Sequence, residues 1–239
     1  MEQVKIPAGQ ARVLRQIGVL AGRVGAGAYA VGGCVRDWHL GLTVVDLDVA
    51  VEGDGIALAR AWAHRWPGAV REHAQFGTAS VERPRGGLRR IDFATCRTET
   101  YAEPAAYPKI TPGRLDDDLF RRDFTINAMA VALSPGSFGT LVDPFGGRDD
   151  LARRLLRVLH PRSFEDDPSR ILRGIRFAAR FKLRWDPDTR RALESAVAAG
   201  WLGRLNAGRL QRELERMLDE PDPRVCLRQF ERLLTHAKS

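Results

Sequence analysis

The sequence predicts an α+β chain in which strands and helices together give way to helices alone beyond Pro161. Three observations carry that prediction. Tyr29 to Val51 reads as strand, double-glycine turn, short helix and second strand. Ala69 to Val81 and Leu88 to Arg97 read as two antiparallel strands. From Phe164 onward the apolar residues recur at helical spacing. At 239 residues, with 44% hydrophobic and 28% charged content, the chain can bury a sizeable core and is globular rather than disordered.

Gln10 to Val24 carries Val13, Leu14, Ile17, Leu20 and Ala21 at helical spacing, which suits a helix packed on a sheet. In the central stretch, Val45, Leu47 and Val49 alternate with Asp46 and Asp48. Side chains alternate faces along a strand, so both carboxylates share one face while the apolar set enters the core. The two like charges repel. A hard divalent cation, most simply Mg²⁺, relieves them, because it takes carboxylate oxygens and bridges to phosphates. Gly32-Gly33 ends the preceding strand, and glycines let backbone N–H groups approach a phosphate. The competing explanation is an edge strand showing its solvent face and an ordinary turn.

Gly53-Asp54-Gly55 opens a helix that runs through Trp66 and stops at Pro67-Gly68. Glu82 to Gly87 is an expected exposed turn between the two strands. Asp92 lies opposite Ile91 and Phe93 in face; it is either a third carboxylate of the site or a surface partner of Arg90 or Arg97. Glu99 to Leu119, rich in Pro and Ala, reads as a mobile loop. Asp116-Asp117-Asp118 reads as the solvated start of a helix, where negative charge suits the dipole. Asp123 and Asn127 stand four apart, on one face if that helix continues. Asp186-Pro187 begins a further helix to Ala199.

The net charge of +8 and pI near 10.1 suit a polyanionic partner, RNA or DNA. The bias is carried by arginine, since the only lysines are Lys5, Lys109, Lys182 and Lys238, and GC-rich codons alone produce such a bias. Cys34, Cys96 and Cys226 are scattered, and the histidines lack ligand spacing, which argues against a zinc site or disulfide framework. With no signal pattern at the N-terminus, the cytoplasm is the expected compartment.

Gly32-Gly33-Cys34-Val35-Arg36-Asp37 followed by Asp46-Leu47-Asp48 resembles the head of class II tRNA nucleotidyltransferases, the CCA-adding enzymes, and of their bacterial poly(A) polymerase relatives. Arg121-Arg122-Asp123-Phe124-Thr125-Ile126-Asn127-Ala128 resembles that family's motif B. Leu141 to Leu151, LVDPFGGRDDL, resembles motif C, the hinge between head and neck. Asp166-Asp167-Pro168-Ser169-Arg170 resembles motif D, with Asp in the usual Glu position, and Gly208 to Leu218, with Arg209 and Glu213, resembles motif E, which braces the neck.

The resemblance implies a polymerase-β-like nucleotidyltransferase head with a mixed sheet over 1–143, an all-helical neck over 144–220 and the start of a body over 221–239. It implies transfer of C or A from CTP or ATP to the 3′ end of tRNA or another RNA, releasing pyrophosphate. Asp46 and Asp48 would hold Mg²⁺, with Asp92 beside them in the catalytic set. Gly32, Gly33, Arg36 and Arg122 would position the triphosphate, and Asp123 with Asn127 would hold the ribose. Asp167 accepts and Arg170 donates, which matches one edge of cytosine or adenine and repels uracil and guanine. Arg173 would join the nucleotide-binding set. Arg173, Arg176 and Arg180 recur on one helix face, and the last two would contact RNA.

A flexible loop in the family helps switch specificity from C to A, and many members carry paired arginines there. This chain has Tyr101-Ala102-Glu103-Pro104-Ala105-Ala106-Tyr107-Pro108 instead, which tilts the expectation to CC addition. Full CCA addition, A addition and poly(A) synthesis are the enzymatic alternatives. A non-catalytic RNA-binding subunit and a small-molecule nucleotidyltransferase are the others. Family members normally continue into body and tail domains that grip tRNA, so a second chain or a homo-oligomer is one way to supply that grip.

Overall fold

The computed structural model describes residues 2–66, 68–82 and 88–236. The expected turn at 83–87 lies outside the described residues. The chain forms two compact units. The first comprises Met1–Thr98, Ile110–Arg122 and Asn127–Arg148; the second comprises Glu99–Lys109, Asp123–Ile126 and Asp149–Ser239. These borders differ from consecutive blocks over 1–143, 144–220 and 221–239. Two short stretches between strands of the first unit pack with the later helices, and the last helix packs on its helical neighbours.

In the first unit the helix expected from apolar spacing is α1, Ala8–Arg23, with Leu14 and Ile17 fully buried. β1 (Gly27–Val31), α2 (Gly33–His39) and β2 (Asp46–Glu52) realise the central stretch. α3 (Gly55–Arg65) is capped by Asp54, whose carboxylate accepts from the Ala57 amide at 2.9 Å. The expected strand over 69–81 is broken in two. β3 (Ala69–His73) and β4 (Thr78–Glu82) are separated by a 3₁₀ turn at Ala74–Phe76 that ends in left-handed Gly77. β5 (Arg90–Thr95) follows.

β6 (Arg97–Thr100) and β7 (Lys109–Pro112) make a two-stranded ribbon, and α4 (Leu115–Phe120) follows, so the stretch expected as a mobile loop has regular structure over much of its length. β8 (Ala130–Ala132) and β9 (Leu141–Val142) complete a seven-stranded sheet in the order β3-β4-β5-β2-β1-β8-β9. The sheet is mixed: β2 and β5 are parallel, in register Asp46↔Arg90, Asp48↔Asp92 and Ala50↔Ala94, while its other pairs are antiparallel. Leu47, Val49, Val51, Ile91 and Phe93 form its buried centre.

The second unit is helical, as the spacing beyond Pro161 predicts. It contains α5 (Gly147–Ala152, which begins in the first unit), β10 (Leu155–Leu156), α6 (Ser163–Asp166), α7 (Ser169–Phe181), β11 (Arg184–Trp185), α8 (Pro187–Ala198), α9 (Ala207–Leu218) and α10 (Pro223–His236). Its centre is aromatic. Phe124 lies 6.5 Å from Phe164, 6.0 Å from Phe177 and 6.2 Å from Trp185, ring centre to ring centre. Gly174 lets those rings close on α7: a Cβ there meets Trp185 at 2.2 Å and Phe124 at 2.8 Å. Gly174→Ala is therefore expected to destabilise the protein by roughly 1–3 kcal/mol through overpacking, despite the higher helix propensity of alanine. Chemical denaturation checks it; an equal or higher midpoint would show that the rings move aside freely.

Candidate functional site

The carboxylates on the first unit follow from strand geometry. Asp46 and Asp48 are two apart on β2, and Asp92 is in register beside Asp48 on the parallel neighbour β5, so all three share one sheet face. Their partners differ. Asp46 accepts from Arg89 at 3.0 Å. Asp92 is tied down, accepting from Ser80 Oγ at 2.5 Å and pairing with Arg90 Nε at 2.8 Å. The Asp48 carboxylate takes no hydrogen bond or ion pair among the described residues.

Asp48 is exposed, yet the protein crowded around it desolvates the carboxylate and pushes its pKa up to about 6, with Arg122 opposing and Asp92 adding to the rise. An unpartnered carboxylate beside a second one suits a divalent cation that keeps several waters and takes its remaining oxygens from phosphates. No three potential ligand side chains converge as a metal-binding group among the described residues. Asp92 pairs with Arg90, as the surface reading expects, and stands in register beside Asp48, as the carboxylate-set reading expects.

The double-glycine turn lies at the end of β1. Gly32 has φ +74°, the left-handed backbone that favours glycine, and a Cβ there would push on the Arg122 guanidinium, whose Nη1 lies 2.5 Å away. Gly33 faces no such demand: a Cβ meets only Arg36, at an ordinary 3.5 Å. Arg122 is held over Gly32 by Asp118, whose Oδ2 accepts from Nη2 at 2.9 Å while Oδ1 accepts from Arg121 at 2.6 Å. The acidic run is thus only partly a solvated helix start, because Asp118 is 1% exposed. Arg36 is also buried; it donates from Nε to Asp37 at 2.8 Å and from Nη1 to the Asn127 side-chain oxygen at 2.6 Å. It orients Asn127 rather than standing open as the phosphate cation expected of it.

Asp118 was not legible as a site residue, since a triple-Asp run resembles any helix start. Burial alone raises its pKa, but Arg122 and Arg121 outweigh burial and hold the carboxyl below its usual 3.8. A depressed folded-state value means that the ionised group stabilises the fold at neutral pH, and that this contribution is lost as pH falls below 3.8. Asp118→Asn is expected to melt lower at neutral pH by roughly 1–3 kcal/mol, with the gap closing in acid. A gap that stays constant through the acid range would show that the charge is not what stabilises.

Motif B does not continue as a helix. α4 stops at Phe120, and Thr125–Asn127 is a single 3₁₀ turn, so the expectation that Asp123 and Asn127 share one helix face is corrected. Buried Phe124 and Ile126 draw the chain out of helical geometry. Asn127 belongs to the first unit with Arg36, and Asp123 to the second, where it accepts from Arg173 Nε at 2.8 Å and Nη2 at 2.5 Å.

On the second unit, Asp167 ends α6 and precedes α7. Its Oδ1 accepts from the Ser169 amide at 2.9 Å and hydroxyl at 2.5 Å, and from Arg209 of α9. Its Oδ2 has no partner among the described residues, and the side chain is 21% exposed. Arg170 is buried and donates to Ser163 Oγ at 2.6 Å. Asp167 thus accepts from the first amide of α7, and Arg170 is bonded within the same unit. These contacts leave one Asp167 oxygen open.

The basic stripe is corrected more fully. Arg173 pairs with Asp123, and Arg176 is buried between Glu213 and Glu220, 3.2 Å from the latter. Burial and the like charge of Arg173 pull the pKa of Arg176 down. Acidic residues on and just beyond α9 had no visible link to α7 in the sequence, yet they neutralise that face. Arg180 alone stays half exposed, 3.6 Å from Glu220.

A seven-stranded mixed sheet that carries an acidic pair beside a glycine turn is the head of a polymerase-β-like nucleotidyltransferase. Residues 28–157 match the poly(A) polymerase head domain, and the chain belongs to that family. It is 47% identical over 193 residues to an A-adding tRNA nucleotidyltransferase of Aquifex aeolicus, covering 81% of this chain and 23% of that protein. It is 41% identical over 195 residues to a CC-adding tRNA nucleotidyltransferase of Deinococcus radiodurans, covering 81% of this chain and 50% of that one. Among solved structures, a CCA-adding enzyme in an apo form superposes with TM-score 0.89 at 42% identity, over 95% of this chain and 53% of that one. The chain thus spans between about a quarter and a half of these relatives. No described helix is long and apolar enough to cross a membrane.

Proposed function

We propose that this chain is the head and neck of an RNA nucleotidyltransferase that adds A or C, without a template, to the 3′ end of tRNA. One observation carries the reading: in a chain of this family, Asp48 stands unpartnered beside Asp46 on the strand next to the Gly32 turn. Asp46 and Asp48 would hold a divalent cation, Mg²⁺ by the oxygen-only character of the donors. Divalent metal held there would supply two things: a lowered pKa for the attacking 3′-hydroxyl and, from a second ion, charge stabilisation of the leaving pyrophosphate.

Arg122, fixed by Asp118, neutralises triphosphate oxygens at the Gly32 turn, where the absence of a side chain lets its guanidinium close on the backbone. Asp92, in register beside Asp48, stays in the proposed catalytic set, and Arg36 acts as a positioning residue through Asn127. Asp123, held by Arg173, and Asn127, held by Arg36, are each kept as a proposed ribose-contacting residue on its own unit. On the second unit, Asp167 Oδ2 accepts from the amino group of adenine or cytosine, and Arg170 donates to the adjacent ring nitrogen.

Addition of A is favoured over the CC addition suggested by the missing paired arginines, because the A-adding relative is the more similar of the two, 47% against 41%. The test is incubation of the chain with tRNAs ending before the first C, the second C or the terminal A, with each triphosphate separately. Extension by ATP of the tRNA lacking only A is expected. No extension of any tRNA, by a folded chain with magnesium present, would overturn the catalytic reading.

A further inference from the structure

We propose that Arg209 is the positioning residue that aims Asp167 at the incoming base, and that base discrimination depends on it. The inference rests on the reading of Asp167 as the acceptor for the exocyclic amino group. Arg209 lies far from Asp167 in sequence, on α9, and is held at both ends. Its amide donates to Asn206 Oδ1 at 2.9 Å, which caps the helix. Its guanidinium donates from Nη1 to the Ala105 carbonyl at 3.2 Å and from Nη2 to Asp167 Oδ1, and lies 5.8 Å from the centre of the Tyr107 ring. Asn206 Nδ2 donates in turn to the Tyr107 hydroxyl at 3.0 Å.

The Arg209 side chain is 13% exposed and that of Asp167 21%, so the ion pair is partly shielded from water, where a fully exposed pair would count for little. Three donors therefore converge on one oxygen of Asp167: the Ser169 amide, the Ser169 hydroxyl and Arg209. Together they fix the rotation of the carboxylate and leave Oδ2 as its only open acceptor. Ser169 alone, as a neighbour in the same turn, follows any movement of Asp167. Arg209 is the donor that comes from another helix, and the planar fork that joins Asp167 to Ala105 is one a lysine cannot reproduce.

The test compares Arg209→Met, Arg209→Lys and Asp167→Asn for kcat/KM with ATP against GTP and CTP against UTP, alongside melting curves. Arg209→Met is expected to lower the preference for the correct base about tenfold, as a loosened charge-assisted contact would. Arg209→Lys, which keeps the charge and loses the fork, should recover part of the preference. A purely structural Arg209 lowers the melting temperature and total activity with the preference intact. That result in both folded Arg209 variants, with Asp167→Asn losing preference, overturns the inference. If Asp167→Asn keeps its preference, the reading of Asp167 itself has failed, whatever Arg209 does.

Discussion

Asp48→Ala abolishes nucleotidyl transfer, by about a thousandfold or more, with the fold retained: this is the largest effect expected from the structure. A metal ion at a transferring phosphate supplies several kcal/mol of transition-state stabilisation, and each 1.36 kcal/mol is about tenfold in rate. The Asp48 carboxylate takes no hydrogen bond among the described residues, and its strand backbone is kept in alanine, so the substitution breaks no side-chain contact there.

Stability shows the same residue from the other side. Its pKa is raised to about 6 from the usual 3.8. The folded, metal-free chain therefore keeps a proton there in a pH range where the unfolded chain has released it. A raised value gives stability that is fully present below 3.8 and lost as pH rises through about 6. At neutral pH the bare Asp48 carboxylate opposes folding. Asp48→Asn without metal is expected to melt higher than the parent at neutral pH, with the difference shrinking in acid. Magnesium should raise the melting temperature of the parent and not of the variant. Calorimetry with and without magnesium, together with the transfer assay, checks both halves. Full transfer by Asp48→Ala in magnesium removes the metal site.

The second large effect concerns base choice. Asp167→Asn is expected to cost roughly 1.5–3 kcal/mol in use of the correct triphosphate, one to two orders of magnitude in kcat/KM. It should also narrow the preference over GTP and UTP, because an amide can present a donor where the carboxylate offers only acceptors. Arg170→Ala should narrow the preference too, and it should additionally lower the melting temperature, since the buried guanidinium supports Ser163. Measuring both triphosphates of each pair in both variants decides between base recognition and neck support. An unchanged ratio in active variants of both residues leaves support alone.

Much of the site was legible where a local period carries it. The alternation around Asp46 and Asp48, the caps at Asp54 and Asp186, and the apolar spacing of α1 and α7 each follow from a few neighbouring residues. What stayed hidden was pairing across long separations. Nothing near Arg176 in sequence announces Glu213 or Glu220, and a basic stripe read alone therefore looks solvated. Nothing near Asp118 distinguishes it from Asp116 and Asp117 until helix rotation buries it under Arg121 and Arg122. Motif B failed differently. Its polar residues have helical spacing, but buried Phe124 and Ile126 take the backbone elsewhere, so tertiary burial overrode the local pattern.

The second unit is assembled from three separate pieces of chain, Glu99–Lys109, Asp123–Ile126 and Asp149–Ser239. No single cut yields it, and no N-terminal truncation series samples it stepwise. A protein ended at Arg148 keeps Phe124 but loses Phe164, Phe177 and Trp185, the rings that shield it. During translation the same gap opens for a time. The sheet unit is fully synthesised once Arg148 emerges, while Phe124, already made, waits for α6, α7 and β11 to leave the ribosome. The nascent protein carries an unmatched aromatic side chain through that interval, the kind of transiently exposed apolar surface on which larger chains misassemble.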